Sequence, residues 1–511
     1  WGACARGART YALGGVRVQP HARIFGHLHP EHEVGGRTMR ITVLGGGPGG
    51  YAAAFEASRL GAEVTLVERG RLGGTCLNWG CIPTKTILRS AHIVKDTVRA
   101  EEFGLNAEIA TVDVARLRAR KDSVVDELVG QVEATAKRLK VEVVYGTGKL
   151  VAPTTVQVDV ADGVGVIEAD AVILATGSAV FKLPCIDHTL EGVWTSDDAV
   201  ALTEIPKDLV IVGGGVIGLE FACAYAAFGS KVTVVELMDQ VLPGNDKRVV
   251  RTTQAALEEM GVEFHLADAV ASVERTDGRM RTTLRSGVVL ESDIVMSAVG
   301  RIANSAGLGF PEVGIEMDRA TVKVDAYFAT NVPGVWAIGD LICGMMLAHV
   351  AEEEGVVAAR NVVATLLAAE ESAAGTSEEA GSARPHLESV RYDCIPACVY
   401  TFPEVAVVGS SRDSAKEAGI DCVQVVAKFA GNGKALGEGD ADGFVQLVAE
   451  KGSGRIVGCQ IVGPHAVEII HEVALAMRFG VSVGALAETV HAHPTVSEVI
   501  KFAAVDAACR V

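Results

Sequence analysis

Positive charge is scarce in this 511-residue chain: 46 Lys and Arg against 64 Asp and Glu leave a formal net charge of −18. That excess would repel a phosphate backbone, and no basic run offers a compensating face, so nucleic acid is excluded as the main partner. Long apolar runs are scarce as well. The most membrane-like stretch, Leu209 to Phe228, carries Glu220 at its middle and a glycine cluster near its start. A buried strand, a tight turn and a helix produce the same run, so no membrane association is expected. A secretory apolar segment is also missing, and the 11 cysteines are an odd number. Mostly free, buried thiols in a reducing compartment follow from this, and any disulfide should be catalytic. The 57 glycines keep no collagen-like or linker period, and nearly half of the residues are apolar, as in a globular protein of three or four domains.

The first 38 residues have no serine and no acid before Glu31, yet carry Arg6, Arg9, Arg17 and Arg23. That is the charge bias of a transit peptide, although prolines, glycines and histidines break any amphipathic helix. Met39 precedes a strong strand, so the folded protein is expected to begin there, with residues 1–38 a disordered or non-native leader. Localisation is read as cytoplasmic, or as the mitochondrial matrix if the leader is a transit peptide.

What is abundant is glycine in a particular register. Gly45, Gly47 and Gly50 stand between an apolar strand and an alanine-rich helix, and Glu68 closes the next strand; Gly213, Gly215, Gly218 and Glu236 repeat the arrangement. The first glycine and the acid are 23 positions apart in both units, 45 to 68 and 213 to 236. Such glycines allow a tight turn, close approach of backbone to a pyrophosphate and close helix packing, while the helix N-terminus attracts phosphate and the acid holds ribose hydroxyls. Two dinucleotide sites are therefore expected. An acid at position 236 repels a 2′-phosphate, which favours NAD over NADP.

Between the two units lies GGTCLNWGCIPTK, Gly73 to Lys85, with Cys76 and Cys81 five positions apart. Two dinucleotides imply electron traffic, and a neighbouring thiol pair can carry two electrons as dithiol and disulfide. In a regular helix these side chains diverge, so a bridge requires irregular backbone, for which Gly80 and Pro83 are suited. A helix N-terminus there would lower a thiolate's pKa.

These motifs, together with ATGS (Ala175 to Ser178), AVGR (Ala298 to Arg301), TNVPGVWAIGD (Thr330 to Asp340) and HAHPTVSE (His491 to Glu498), resemble the flavin disulfide reductases, or pyridine nucleotide-disulfide oxidoreductases, over residues 39 to 505. Within that family the dihydrolipoyl dehydrogenase branch, which serves 2-oxoacid dehydrogenase and glycine-cleavage complexes, is the nearest in pattern. The resemblance implies FAD on the first unit, with Glu68 on its ribose and Asp340 at the ribityl region, and NAD on the second. It implies cofactor contacts from Gly74, Thr75, Thr176, Gly177, Ser178, Gly300, Arg301, Gly339 and the stretch Met346, Leu347, Ala348 and His349. Lys85 would lie by the flavin, paired with Glu220; Cys81 would face the flavin and Cys76 exchange with substrate sulfur. His493 would be the base for the incoming thiol, oriented by Glu498. Electrons would pass from dihydrolipoamide, free or on a lipoyl domain, to NAD. The family's use of this last segment across subunits implies an obligate homodimer. Glu236 speaks against the NADPH-linked glutathione reductases, the alternative within the family, and a lone Cys509 near the end speaks against a mercuric reductase.

The expected fold is α/β: two Rossmann-like units, 39–186 for FAD and 187–307 for NAD, a central segment 308–386 that completes the FAD site, and an α+β interface domain 387–511. Residues 368–385 read as an acidic surface insertion. Residues 352–354 read as a solvated helix face, although the family likeness places them near the flavin's edge; His491 reads as an ordinary polar-loop histidine, and Cys394 and Cys398 as core packing, with no zinc site. Phe402, where relatives carry histidine, and the glycine-rich run Gly431 to Phe444 depart from the family pattern without touching the redox pair.

Overall fold

Arg40–Leu44, Glu63–Glu68, Glu142–Tyr145, Ala171–Leu174 and Val335–Ala337 form one parallel sheet with Arg40–Leu44 at its centre. The computed structural model describes residues 38–108, 111–373 and 385–511; the leader up to residue 37 and positions 374–384 of the acidic stretch lie outside them. Helices Pro48–Arg59 and Ala348–Ala373 pack on this sheet, and the antiparallel strands Thr147–Ala152, Thr155–Val160 and Gly163–Glu168 add Leu150, Val156 and Val158 to the same core, which is why its inner strands read as near-continuous apolar runs. Val43, Leu66, Val172 and Ile173 are buried in its core.

A second parallel sheet repeats the plan. Asp208–Val212 is flanked by Lys231–Val235 and Ile294–Ser297, with Glu263–His265 and Val193–Trp194 at the edges. The membrane-like stretch resolves into the central strand and the helix Val216–Ala227, which is buried nearly all round. No helix among the described residues is long and apolar enough to cross a membrane.

The C-terminal part is an antiparallel five-stranded sheet. The expected strands of its first motif are Ala397–Val399 and Glu404–Gly409, and helices Ala466–Arg478 and Glu498–Ala508 pack on the sheet. The α/β class and the α+β C-terminal region thus match the sequence reading.

Helix Ala348–Ala373 departs from it. The helix absorbs residues 368–373, so the acidic stretch begins as regular helix, not loop. It crosses helix Pro48–Arg59 at close range through Gly49 and Gly355: a Cβ on Gly355 would lie 2.3 Å from the Gly49 carbonyl oxygen. This crossing sets both helices against the cavity described next.

Candidate active site

The two glycine turns are near copies in geometry. Gly45 and Gly213 have φ of 111° and 112°, a region open to glycine, and a Cβ on Gly50 or Gly218 would fall 1.8 or 2.0 Å from the carbonyl oxygen of Gly45 or Gly213. Each acid is tied to its own turn. Glu68 accepts the N–H groups of Gly46 and Gly70 at 2.7 Å, and Glu236 accepts those of Gly214 at 2.6 Å and Met238 at 2.8 Å. These bonds fix the carboxylates at the strand ends and leave lone pairs for further donors. At Gly215 an added Cβ would meet nothing within 4 Å, because the turn faces open space.

That space is one cavity of about 1450 Å³, larger than the roughly 300–1,000 Å³ of a single small-ligand site. Both turns open onto it. Of the site residues named from sequence, all line it except Gly50 and Gly218, which pack beneath the turns, and His493 and Glu498.

Cys76 and Cys81 meet on its wall. Cys76 lies in the short helix Gly74–Asn78 and Cys81 opens the helix Cys81–Val98, with the break at Trp79 and Gly80 supplying the irregular backbone that a close pair requires. They stand as a dithiol with a hydrogen bond between them. That bond, received by Cys81 and aided by the Lys85 charge, holds Cys81 at about 7 against burial. The Cys76 thiol is pushed up, first by donating to Cys81 and then by burial. The arrangement favours one thiolate shared by the pair.

Lys85, one turn along the helix, donates to Glu220 Oε1 and Oε2 at 2.9 and 2.8 Å and stands 4.4 Å above the Tyr400 ring. Glu220 also accepts the Tyr400 N–H at 3.1 Å. The acid inside the apolar helix is thereby satisfied three times over.

A polar lattice joins the remaining motifs. Arg301 of AVGR donates to the Ser178 hydroxyl at 2.7 Å and to Thr75 at 3.3 Å, and Ser178 donates to Asp340 at 2.5 Å. Residues 352–354 are not a solvated face. Glu352 lines the cavity and accepts the Tyr51 hydroxyl at 2.5 Å, while buried Glu354 accepts the Gly339 N–H and the Tyr392 hydroxyl, both at 2.7 Å; only Glu353 is exposed. Burial raises the Glu354 carboxyl, and burial followed by the Glu352 bond raises the Tyr51 phenol.

His493 stands apart, 79% exposed, with Nδ1 3.0 Å from Glu498 Oε1. Glu498 Oε2 accepts the Thr495 N–H at 2.9 Å, and this bond, with His493 second, lowers the carboxyl. Asn432, buried, braces the loop: its Nδ2 donates to the Thr495 carbonyl at 2.9 Å and its Oδ1 caps helix Gly433–Glu438 at the Ala435 N–H. His491 is not a plain loop residue. It is only 7% exposed, with Nε2 2.8 Å from Glu472 and Nδ1 3.1 Å from the Thr489 carbonyl.

Two family models account for most of the chain: pyridine nucleotide-disulphide oxidoreductase over residues 39–355, and the dimerisation domain of the same group over 395–504. The chain belongs to the pyridine nucleotide-disulphide oxidoreductase family. It is 40% identical, over 91% of this chain and 94% of the relative, to the mitochondrial dihydrolipoyl dehydrogenase of Dictyostelium discoideum. It is also 40% identical, over 90% of this chain and 94% of the relative, to the dihydrolipoyl dehydrogenase of Geobacillus stearothermophilus. Among solved structures, LpdA from Mycobacterium tuberculosis superposes with a TM-score of 0.81 at 28% identity, covering 92% of this chain and 99% of that one.

As a pyridine nucleotide-disulphide oxidoreductase the protein uses FAD and NAD. The residues present fit both groups. Glycine backbones that a Cβ would obstruct face the cavity, and each strand-end glutamate is already oriented by two amides. Sequence reasoning missed Tyr51 and Asn432, and it missed the partners of Glu352 and Glu354, although the family likeness sets that stretch near the flavin; Asn432 alone carried a local signal, as an N-cap before a short helix. Cys394 is core as expected, and Cys398 packs against the same core while also bordering the cavity, its thiol pushed by burial up to about 11. No metal-binding cluster occurs among the described residues.

Proposed function

We propose that this oxidoreductase is a dihydrolipoyl dehydrogenase, converting dihydrolipoamide and NAD⁺ to lipoamide, NADH and a proton. The observation that carries the reading is the Cys76 and Cys81 pair on the wall of a cavity shared by two dinucleotide cradles. Glu68, the turn at Gly45, Gly47 and Gly50, and Asp340, Ser178 and Thr75 would hold FAD; Glu236 and the turn at Gly213, Gly215 and Gly218 would hold NAD. When bound, FAD supplies the two-electron carrier between dithiol and nicotinamide.

The protein residues handle sulfur and protons. His493 takes the proton of one substrate thiol, and Glu498 holds the imidazole by Nδ1 and stabilises its charged form. The substrate thiolate attacks Cys76 of the oxidised pair, and the S–S bond breaks with its electron pair going to Cys81. His493 gives its proton to the departing Cys76 sulfur and takes that of the second substrate thiol, which attacks the substrate sulfur of the mixed disulfide. Lipoamide leaves with its new S–S bond, and Cys76 leaves as the second thiol of the reduced pair. Lys85, fixed by Glu220, favours the Cys81 thiolate.

His493 is exposed and lies outside the cavity, and the same C-terminal region exposes apolar Leu475, Phe479 and Val490. These features support a homodimer in which each subunit's His493 serves the other subunit's thiol pair. A lipoyl domain of a 2-oxoacid dehydrogenase or glycine-cleavage complex is the donor, in the cytoplasm or the mitochondrial matrix.

Two measurements test this. Lipoamide-dependent NADH oxidation should greatly exceed turnover with glutathione disulfide or with NADPH; preference for NADPH overturns the assignment. Mixing Cys76→Ser and His493→Gln subunits, each inactive alone, should restore about a quarter of wild-type lipoamide activity, because half of the random dimers hold one intact site. No recovery would put the base in the same subunit.

A further inference from the structure

Helix Lys247–Glu259 opens with Lys247 and Arg248, two cations at the end where the helix dipole is already positive. Arg251, three and four positions on, shares their side of the helix. Across a cleft of about 490 Å³ stands Arg412, the first residue of the short helix Arg412–Glu417 in the C-terminal region. Among the described residues, none of these four side chains has an ion-pair or hydrogen-bond partner; Arg248 only overlies the Phe444 ring at 5.7 Å.

Two acids, Asp246 and Asp413, also border the cleft, and Asp246 is engaged as the helix cap by the Arg248 N–H at 2.8 Å. Four cations without a partner therefore stand against two acids, one of them already engaged as a cap, and the cleft keeps a net positive charge. Beneath them the sheet contributes Gln424 and Gln446. Gln446 Nε2 donates to Gln460 Oε1 at 3.0 Å, which fixes its amide and leaves Oε1 of Gln446, like Oε1 of Gln424, without a donor.

We propose that this cleft binds the diphosphate group of a phosphate ester such as a nucleoside diphosphate. Two or more phosphoryl groups answer the charge: arginine forks bind phosphate oxygens in pairs, and a single halide could neutralise only one of the four cations. The ester part answers the floor, where both amide oxygens are buried without a donor and a hydroxyl or amino group reaches them once the Gln424 side chain turns toward the ligand. The chemistry differs from that of the two glycine cradles, which meet phosphate with backbone amides and a helix end and share no residue with this cleft. The site also joins separate parts of the fold, since helix Lys247–Glu259 leads into Glu263–His265, the strand beside Lys231–Val235 and Glu236. A ligand here would fasten that helix to the C-terminal sheet.

The test uses FAD-loaded protein saturated with NAD⁺, so that the glycine cradles are filled, titrated calorimetrically at fixed ionic strength with sodium pyrophosphate or with ADP. One site per subunit is expected, with ADP binding more tightly than pyrophosphate. Arg251→Gln with Arg412→Gln should weaken both ligands by about tenfold or more, losing charge-assisted phosphate bonds, while NADH turnover with lipoamide is unchanged. Gln424→Leu should remove the advantage of ADP and spare pyrophosphate. Heat no greater than that from sodium chloride, or equal binding by the arginine variant, overturns the site. Equal affinity for ADP and pyrophosphate overturns the ester assignment. Unliganded Arg251→Gln should melt above wild type because one repelling charge is gone, and a lower melting point contradicts the electrostatic premise.

Discussion

Lys85 and Glu220, 135 positions apart, meet at 2.8 Å with the lysine 28% exposed and the glutamate 4% exposed. The pair ties the helix that carries Cys81 to the helix of the second glycine unit. The unequal burial makes its two halves unequal in cost. Lys85→Met strands a nearly fully buried carboxylate and should destabilise by about 3–5 kcal/mol, whereas Glu220→Gln leaves an amine that can turn to water and should cost less, about 2 kcal/mol. Lys85→Met with Glu220→Leu should recover most of the loss. Denaturant melts of the three variants decide it, and equal loss in both singles contradicts the asymmetry.

The pH dependence follows from the thiols. Cys81 is lowered to about 7, so the reduced pair carries a thiolate above that pH and is protonated below it. Alkylation of the reduced pair by iodoacetamide should therefore rise with pH to a midpoint near 7, not near the roughly 8.5 of an ordinary thiol. Since the Lys85 charge is among the lowering causes, Lys85→Met should move the midpoint upward. An unmoved midpoint would remove Lys85 from the electrostatics of the pair.

Gly215 and Gly218 separate folding from binding. A Cβ at 218 collides with the Gly213 carbonyl oxygen at 2.0 Å, whereas one at 215 projects into open cavity from an ordinary φ of −78°. Gly218→Ala should lower the melting temperature markedly. Gly215→Ala should melt as wild type but raise KM for NAD⁺ about tenfold or more by obstructing the pyrophosphate approach. The reverse pattern in melting and KM would refute both assignments.

Asn432 is predicted to position His493 through Thr495 and Glu498. Asn432→Asp retains the helix-cap acceptor but loses the donor to the Thr495 carbonyl, so kcat with dihydrolipoamide should fall about tenfold while KM for NAD⁺ holds, in line with the sensitivity of catalysis to small misplacements. Asn432→Ala should add about 1 kcal/mol of instability from the lost cap. Full kcat in the aspartate variant would reduce Asn432 to a structural residue.

Local periodicity made the glycine units readable: a strand, a three-glycine turn, a helix and an acid at fixed spacing specify their own geometry, and the cavity followed. Glu220 was readable for a related reason, since an acid inside an apolar helix needs a partner. Residues 352–354 read as solvated from their own composition, and only the family likeness draws them toward the flavin, because helix Ala348–Ala373 is covered on two sides, by the Gly49 crossing and by the turn at Gly339, and nothing nearby in sequence marks either contact. Glu352 and Glu354, two positions apart on a helix, project to different sides and each meets its own partner. His491 hid likewise, its acid lying 19 positions upstream on another helix. The cleft at Arg251 and Arg412 combines residues about 160 positions apart, with no pattern to join them.

Strand Val335–Ala337 closes the edge of the first sheet at Ala171–Leu174 only after the entire second unit has been made. At a ribosomal rate of about 5–20 residues per second, the roughly 160 intervening residues leave that edge bare for about 10–30 s on the nascent polypeptide. An unpaired apolar strand is an invitation to neighbouring chains, so the yield of this enzyme in a cell should depend on chaperone capacity during translation more than on the endurance of the finished molecule.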